Sequence, residues 1–144
     1  MYDVRSLHLD HRDDREVTVI TVDGEVDVLN APRLRELLIE LINTGHLHFV
    51  VDVEKVTFLD STALGVLIGA WRRVRDHGGC LALAGAPKQI RQIFHVTCLT
   101  RNFALYNTTS EAIQACHAGR VGTPSPAGRL PQPPASSIGG ATLR

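Results

Sequence analysis

An excess of either charge is missing from this chain. Lys+Arg 15 balances Asp+Glu 15 over 144 residues, for a formal net charge of +0. General nucleic-acid binders are usually basic, so that class is set aside. Long hydrophobic runs are missing too. None approaches the roughly 20 residues that a bilayer-spanning helix needs, so no membrane role is expected. The N-terminus is polar and charged through Glu16, which does not read as a signal peptide, and a cytoplasmic location is expected. Cysteine is scarce. Cys80, Cys98 and Cys116 are an odd count without a Cys-x-x-Cys pair, so reduced cytosolic thiols rather than a disulfide framework are expected. Glycine-rich phosphate loops and a Gly-x-Ser-x-Gly elbow are both lacking, which argues against an enzyme and against a bound cofactor. His95-x-x-Cys98 offers half a metal site with no second pair at ligand spacing, so no metal is expected. His8/His11 and His46/His48 read as surface residues of a strand and a turn.

What remains is enough for one packed domain: 44% of the residues are hydrophobic. Residues 4–12 read as a first strand, with Leu7 and Leu9 alternating with polar neighbours, and Asp13-Asp14 as a turn. Residues 16–23 read as a half-buried strand through Val17, Val19, Ile20 and Val22. Asn30 stands as a helix cap, Pro32 in the first turn, and Leu34, Leu37, Leu38 and Leu41 give a helix over 31–43 closed by Gly45. Residues 48–53 are apolar and β-branched, a buried strand. Further on, the pattern predicts a strand over 80–84, a short helix over 88–95, a last strand over 103–106 and a helix over 111–118.

From about Gly119 prolines mix with Gly, Ser and Ala, acids vanish, and Arg120, Arg129 and Arg144 make the segment mildly basic. Such a stretch cannot bury enough apolar surface to offset its ordering entropy, so 119–144 is expected to be a disordered tail without an assigned role. Residues 1–118 then form the domain. Strands alternating with helices after a leading hairpin predict an α/β fold: a single small mixed sheet of about four to five strands carrying about four helices.

The chain is organised around residues 57–69, which begin as the end of a strand and finish inside a helix. Leu64, Leu67, Ile68, Trp71 and Val74 recur at gaps of three and four, so they share the core face of a helix over 62–76, ended by His77-Gly78-Gly79. Asp60, Ser61 and Thr62 precede it, and any of them could cap it. One cap does not need so many hydroxyls. Gly65 and Gly69 each cost roughly 1 kcal/mol against alanine inside a helix. With Thr62 and Val66 they give the helix a small, weakly charged outer face that another surface could approach closely. Arg72, Arg73 and Arg75 point in different directions at helical spacing and read as a solvated face, while Trp71 reads as core.

Phe58-Leu59-Asp60-Ser61-Thr62-Ala63-Leu64-Gly65-Val66 resembles the Asp-Ser-(Ser/Thr)-Gly-Leu-Gly signature of STAS domains, the bacterial anti-sigma factor antagonists. Asp23-Gly24-Glu25-Val26-Asp27 is similar to that family's Gly-Glu-(Leu/Ile/Val)-Asp turn, and residues 80–86 to the strand that follows the signature helix. Ala63 departs from the usual glycine and barely changes the size of the site.

The resemblance implies a partner switch in a stress-responsive pathway of transcription regulation. The unphosphorylated protein binds an anti-sigma factor that is also a serine kinase, freeing the sigma factor. The kinase, which holds the ATP, then phosphorylates the first hydroxyl after the aspartate, here Ser61, with Thr62 as the second choice. The complex falls apart, and a phosphatase restores the protein. Asp27, Asp60, Ser61, Thr62, Gly65, Val66 and Gly69 are the implied partner-binding set. The alternative is a non-phosphorylated STAS module serving as a subunit of a larger transport or stress-signalling assembly. The intact hydroxyl at Ser61 and the small size favour the switch.

Overall fold

The structure, a computed structural model, describes residues 7–101 and 103–117. It opens on a hairpin. Strand β1 (His8–Asp14) pairs antiparallel with β2 (Val17–Val26), and Asp14 faces Val17. The two residues between them, Arg15 and Glu16, carry φ of 51° and 71°. Two positive φ values in a two-residue loop match the right-handed twist of the flanking strands. The expected turn at Asp13-Asp14 is therefore corrected: both acids belong to β1. The turn falls on Arg15-Glu16, whose types give no hint of the left-handed backbone. Arg12 and Arg15 each reach the Asp14 carboxylate at 3.3 Å, and the Arg12 bond above all holds that carboxyl below its ordinary range.

Helix α1 (Ala31–Asn43) links β2 to β3 (His48–Leu59), and α2 (Ser61–Asp76) links β3 to β4 (Cys80–Ala84). Helix α3 (Lys88–Val96) and a single 3-10 turn lead to β5 (Ala104–Tyr106), and α4 (Thr109–His117) follows. The five strands lie in the order β1-β2-β3-β4-β5, with every pair after the hairpin parallel. The expected α/β fold, a mixed sheet with four helices, is what the chain forms. The expected tail at 119–144 lies outside the described residues, as do residues 4–6 of the expected first strand.

The two sheet faces follow from the period-two alternation of strand side chains. Ile20, Val22, Phe49, Val51, Leu81 and Leu83 point to one face, under Leu34 and Leu38 of α1, Leu67 and Val74 of α2, and Ile90 and Phe94 of α3. Each such side chain contributes about 1.5–3 kcal/mol on burial. Phe94 and Phe103 meet edge-on at 5.7 Å between centroids. The opposite face carries Val17, Val19, Val50, Ala82 and Ala84, covered by Ala112 and Ile113 of α4. Alanines on both sides of that contact let α4 lie close to the sheet.

This close contact overturns one expectation. Cys80 and Cys116, 36 residues apart, are joined as a disulfide, and Cys98 alone is a free, exposed thiol. The cause is the topology. Cys80 shares the Ala82–Ala84 face of β4, and Cys116 follows Ile113 by three residues on the inward side of α4.

Strand β3 is longer than expected. It pairs with β4 only from His48 to Asp52 and continues to Leu59 beside β2. Two register shifts in that ladder, one at Gly24 with φ 115°, keep the long strands paired as they twist. The extension carries the ends of β2 and β3 beyond the rest of the sheet.

Candidate functional site

Val26 and Leu59 are register partners, so the residues that follow them, Asp27 and Asp60, emerge side by side. The Asp60 N–H donates to the Val26 carbonyl at 3.2 Å, which binds the two chain exits together. Asp60 itself is extended, with φ −101° and ψ −176°, and its Oδ1 accepts from the Ala63 N–H at 3.0 Å. The acid therefore caps α2, as its position before the apolar stripe suggested. Ser61 and Thr62 then occupy the first turn with exposed side chains. The hydroxyls are thus presented at the positive end of the helix macrodipole, where added negative charge is favoured by about 0.3–1 kcal/mol.

The neighbouring loop is built differently from the expectation. Asn30 stands at the N-cap position of α1, but its backbone is near-helical and its side chain makes no cap bond. It turns back instead: Oδ1 accepts from the Asp27 N–H at 2.9 Å, and Nδ2 donates to the Glu25 carbonyl at 2.8 Å. A fully buried amide must satisfy its own polar atoms, and the loop backbone supplies both partners. Asp27 Oδ1 in turn accepts from the Leu29 N–H at 3.0 Å and the Asn30 N–H at 3.3 Å. Asp27 thus organises its own turn, and that turn holds Val28 and Leu29 outward at 63% and 58% exposure. Phe58, opposite Glu25 near the end of β3, is 48% exposed. Three large apolar side chains left in water at one end of the sheet mark a surface suited to covering by a partner.

Along α2 the apolar stripe is buried as expected at Leu64, Leu67 and Val74, with Ile68 and Trp71 at its margin. The other face borders a groove of about 270 Å³ against α1, lined by Thr62, Gly65, Val66, Gly69, Ile39, Leu38 and Ala70, with Arg35 and Arg73 among its walls. Beyond the backbone of α2 itself and the adjacent residues, no atom lies within 4 Å of where a Cβ would stand at Gly65 or Gly69. The fold itself does not require glycine there. Arg75 turns the other way, stacks over Trp71 at 4.6 Å and bonds Asp76 at 3.2 Å. Arg73 borders the groove, and Arg75 points away from it.

Asp27, Asp60, Ser61 and Thr62 are therefore brought to one end of the sheet, and Thr62, Gly65, Val66 and Gly69 to one groove running away from it. The sequence reading missed Val28, Leu29 and Phe58. An apolar pair directly after a turn aspartate was the available signal. It also missed Arg35, whose place opposite Arg73 depends on how α1 crosses α2. His95 and Cys98 are both exposed. His46 and His48 are half-buried rather than simple surface residues: His46 Nδ1 lies 2.9 Å from Thr18 Oγ1, and His48 Nδ1 lies 3.3 Å from Cys80 Sγ.

Comparison with known proteins gives a consistent picture. The family model described as STAS domain matches residues 8–112. An anti-sigma-B factor antagonist of Bacillus subtilis (strain 168) is 31% identical over 92 residues, covering 64% of this chain and 84% of that protein. An anti-sigma factor antagonist from Mycobacterium paratuberculosis, a crystal structure, is 27% identical with a TM-score of 0.72, covering 78% of this chain and 95% of that one. The phosphorylated form of the Bacillus cell fate determinant SpoIIAA is 25% identical with a TM-score of 0.61, covering 75% of this chain and 96% of that one.

Proposed function

The chain belongs to the STAS domain family, and from that premise we propose that it is an anti-sigma factor antagonist switched by phosphorylation at Ser61. In its unphosphorylated form it binds an anti-sigma factor that is a serine kinase, and the bound sigma factor is released. The observation that carries this reading is the placement of Ser61: exposed at the start of α2, at the same end of the sheet as the outward Val28, Leu29 and Phe58. The likeness to antagonists by name, and to one solved in a phosphorylated form, supports it.

The chemistry required of this chain is modest. The Ser61 Oγ attacks the γ-phosphate of ATP held by the partner, ADP leaves, and the hydroxyl proton is lost to the partner's base or to solvent. The acceptor needs to be accessible and held still, and the Asp60 cap does the second. Asp27 acts at one remove, through the turn that presents Val28 and Leu29. Thr62, Gly65, Val66 and Gly69 give the partner a shallow groove to enter, between Arg35 and Arg73.

Phosphorylation adds about −1.5 to −2 charges. A partner carboxylate or nucleotide phosphate about 6 Å away, at an effective dielectric near 20, repels each added unit by about 3 kcal/mol. That corresponds to about a hundredfold in affinity, with no refolding of the chain. A phosphatase that removes the group resets the switch.

The test is a pull-down from host extract with wild-type, Ser61→Ala and Ser61→Glu baits. The expected result is an ATP-binding kinase retained by Ser61→Ala and lost by Ser61→Glu. Identical partners on all three baits would leave Ser61 as part of a helix start only. The chain would then be a fixed subunit of a larger assembly.

A further inference from the structure

The end of the sheet far from Ser61 holds a group of side chains that the partner switch does not use. His48 opens β3 and Cys80 opens β4, and the two are register partners. Strand periodicity puts both on the face that α4 covers, the face of Val50, Ala82 and Ala84. Helix α4 packs Ala112 and Ile113 onto that face, and Cys116 of the same helix packs against this cluster. The His48 ring nitrogen and the two sulfurs lie within 4.8 Å of one another, drawn from three separate elements. Cys80 is buried, while His48 and Cys116 are half-buried, so the group opens to solvent on one side.

From this geometry we propose that the reduced chain binds one zinc ion through His48 Nδ1, Cys80 Sγ and Cys116 Sγ, with water as the fourth ligand. Two thiolates and an imidazole are the donor set that zinc takes in tetrahedral sites. With bonds of about 2.3 Å to sulfur and about 2.1 Å to nitrogen, a tetrahedral centre separates a nitrogen from a sulfur by about 3.6 Å. His48 Nδ1 already stands 3.3 Å from Cys80 Sγ. The same centre separates two sulfurs by about 3.8 Å. The Cα atoms of Cys80 and Cys116 are 6.8 Å apart, at the wide end of the span a disulfide bridges, so side-chain rotation alone can part the sulfurs around an ion.

The disulfide and the zinc site are two states of one cross-link. A dithiol or phosphine reductant takes the disulfide to two thiols and is itself oxidised. Each thiol then gives its proton to solvent as it ligates the metal, and the imidazole binds through a lone pair with its proton on Nε2. In either state α4 stays tied to β4, and the metal-bound state adds β3 through His48.

Equilibrium dialysis of the reduced, full-length chain against zinc chloride tests this, with metal content read by mass spectrometry. Cobalt(II) serves as an optical probe of tetrahedral thiolate ligation. The expected result is one equivalent of zinc per chain and cobalt bands typical of thiolate ligands. Cys116→Ser and His48→Ala should each weaken binding by at least about tenfold. Both positions are half-buried, so the variants keep the core. Cys98→Ser should bind like the wild type, and the oxidised chain should bind no zinc. Substoichiometric uptake, undiminished uptake by Cys116→Ser, or loss of uptake in Cys98→Ser would overturn the proposal.

Discussion

Asp60 donates its backbone N–H to the carbonyl of Val26 at 3.2 Å while its side chain accepts from Ala63 at 3.0 Å. One residue thus ties the β2–α1 turn to the first turn of α2. The exposed hydroxyl of Ser61 and the exposed side chains of Val28 and Leu29 share a rigid base. A surface prepared in this way loses little conformational entropy when a partner docks.

Removing the cap should therefore affect stability before anything else. Asp60→Ala leaves the Ala63 N–H without its partner and should lower the unfolding free energy by about 1 kcal/mol. Asp60→Asn keeps an accepting oxygen and should stay within a few tenths. Urea denaturation of the three proteins separates these outcomes. Equal stability of Asp60→Ala and the wild type would show that the cap bond carries no weight.

The glycines of α2 predict a split between stability and binding. Outside the backbone of α2 and the adjacent residues, nothing lies within 4 Å of a Cβ at Gly65 or Gly69. Gly65→Ala and Gly69→Ala should each stabilise the helix by about 0.5–1 kcal/mol. Gly69→Leu should still fold but should fill the groove between α1 and α2. Calorimetric melting together with partner capture checks the pair of claims, and a Gly69→Leu protein that captures partner normally would remove the groove from the interface.

Gly79 is a contrasting case, because a Cβ there would collide with the carbonyl of Leu47. That carbonyl accepts from the Cys80 N–H at 2.9 Å and sets the start of β4 beside β3. Gly79→Ala should cost about 1–3 kcal/mol, the range for forcing atoms into a packed site. Denaturant titration reads it directly.

The cross-link between β4 and α4 closes a sequence separation of 36 residues. On the chain-entropy account a loop of that length is stabilised by about 4 kcal/mol relative to the open chain. Reduction in the presence of a metal chelator should lower the melting temperature accordingly. Cys80→Ser should melt at the lower temperature whether or not reductant is present. A melting temperature indifferent to reductant in the wild type would place the two thiols unjoined in solution.

The elements with a strong period were legible from their residues. Leu34, Leu37, Leu38 and Leu41 bounded α1 at Ala31–Asn43, and the compact apolar run of β4 was bounded at Cys80–Ala84. The Arg15-Glu16 turn was not legible, because its left-handed backbone is imposed by strand twist on residues that rarely adopt it. Asn30 read as a cap because residue type and position agreed. The buried site instead required its amide to satisfy two loop backbone groups. Thr62, Gly65, Val66 and Gly69 could be placed on one outer face from helical spacing alone. Val28, Leu29 and Phe58 joined them only through the parallel register of β2 and β3, and the meeting of His48, Cys80 and Cys116 likewise depends on three elements distant in sequence.

The most direct test is the affinity of the captured kinase for this chain before and after stoichiometric phosphorylation of Ser61, measured by titration calorimetry at one fixed salt concentration. A loss of about a hundredfold or more, with the phosphorylated chain keeping its amide spectrum away from the start of α2, is the predicted result. Equal affinity of the two forms would contradict the switch. So would a loss of affinity accompanied by spectral changes throughout α2 and the sheet, which would replace local repulsion with a conformational change.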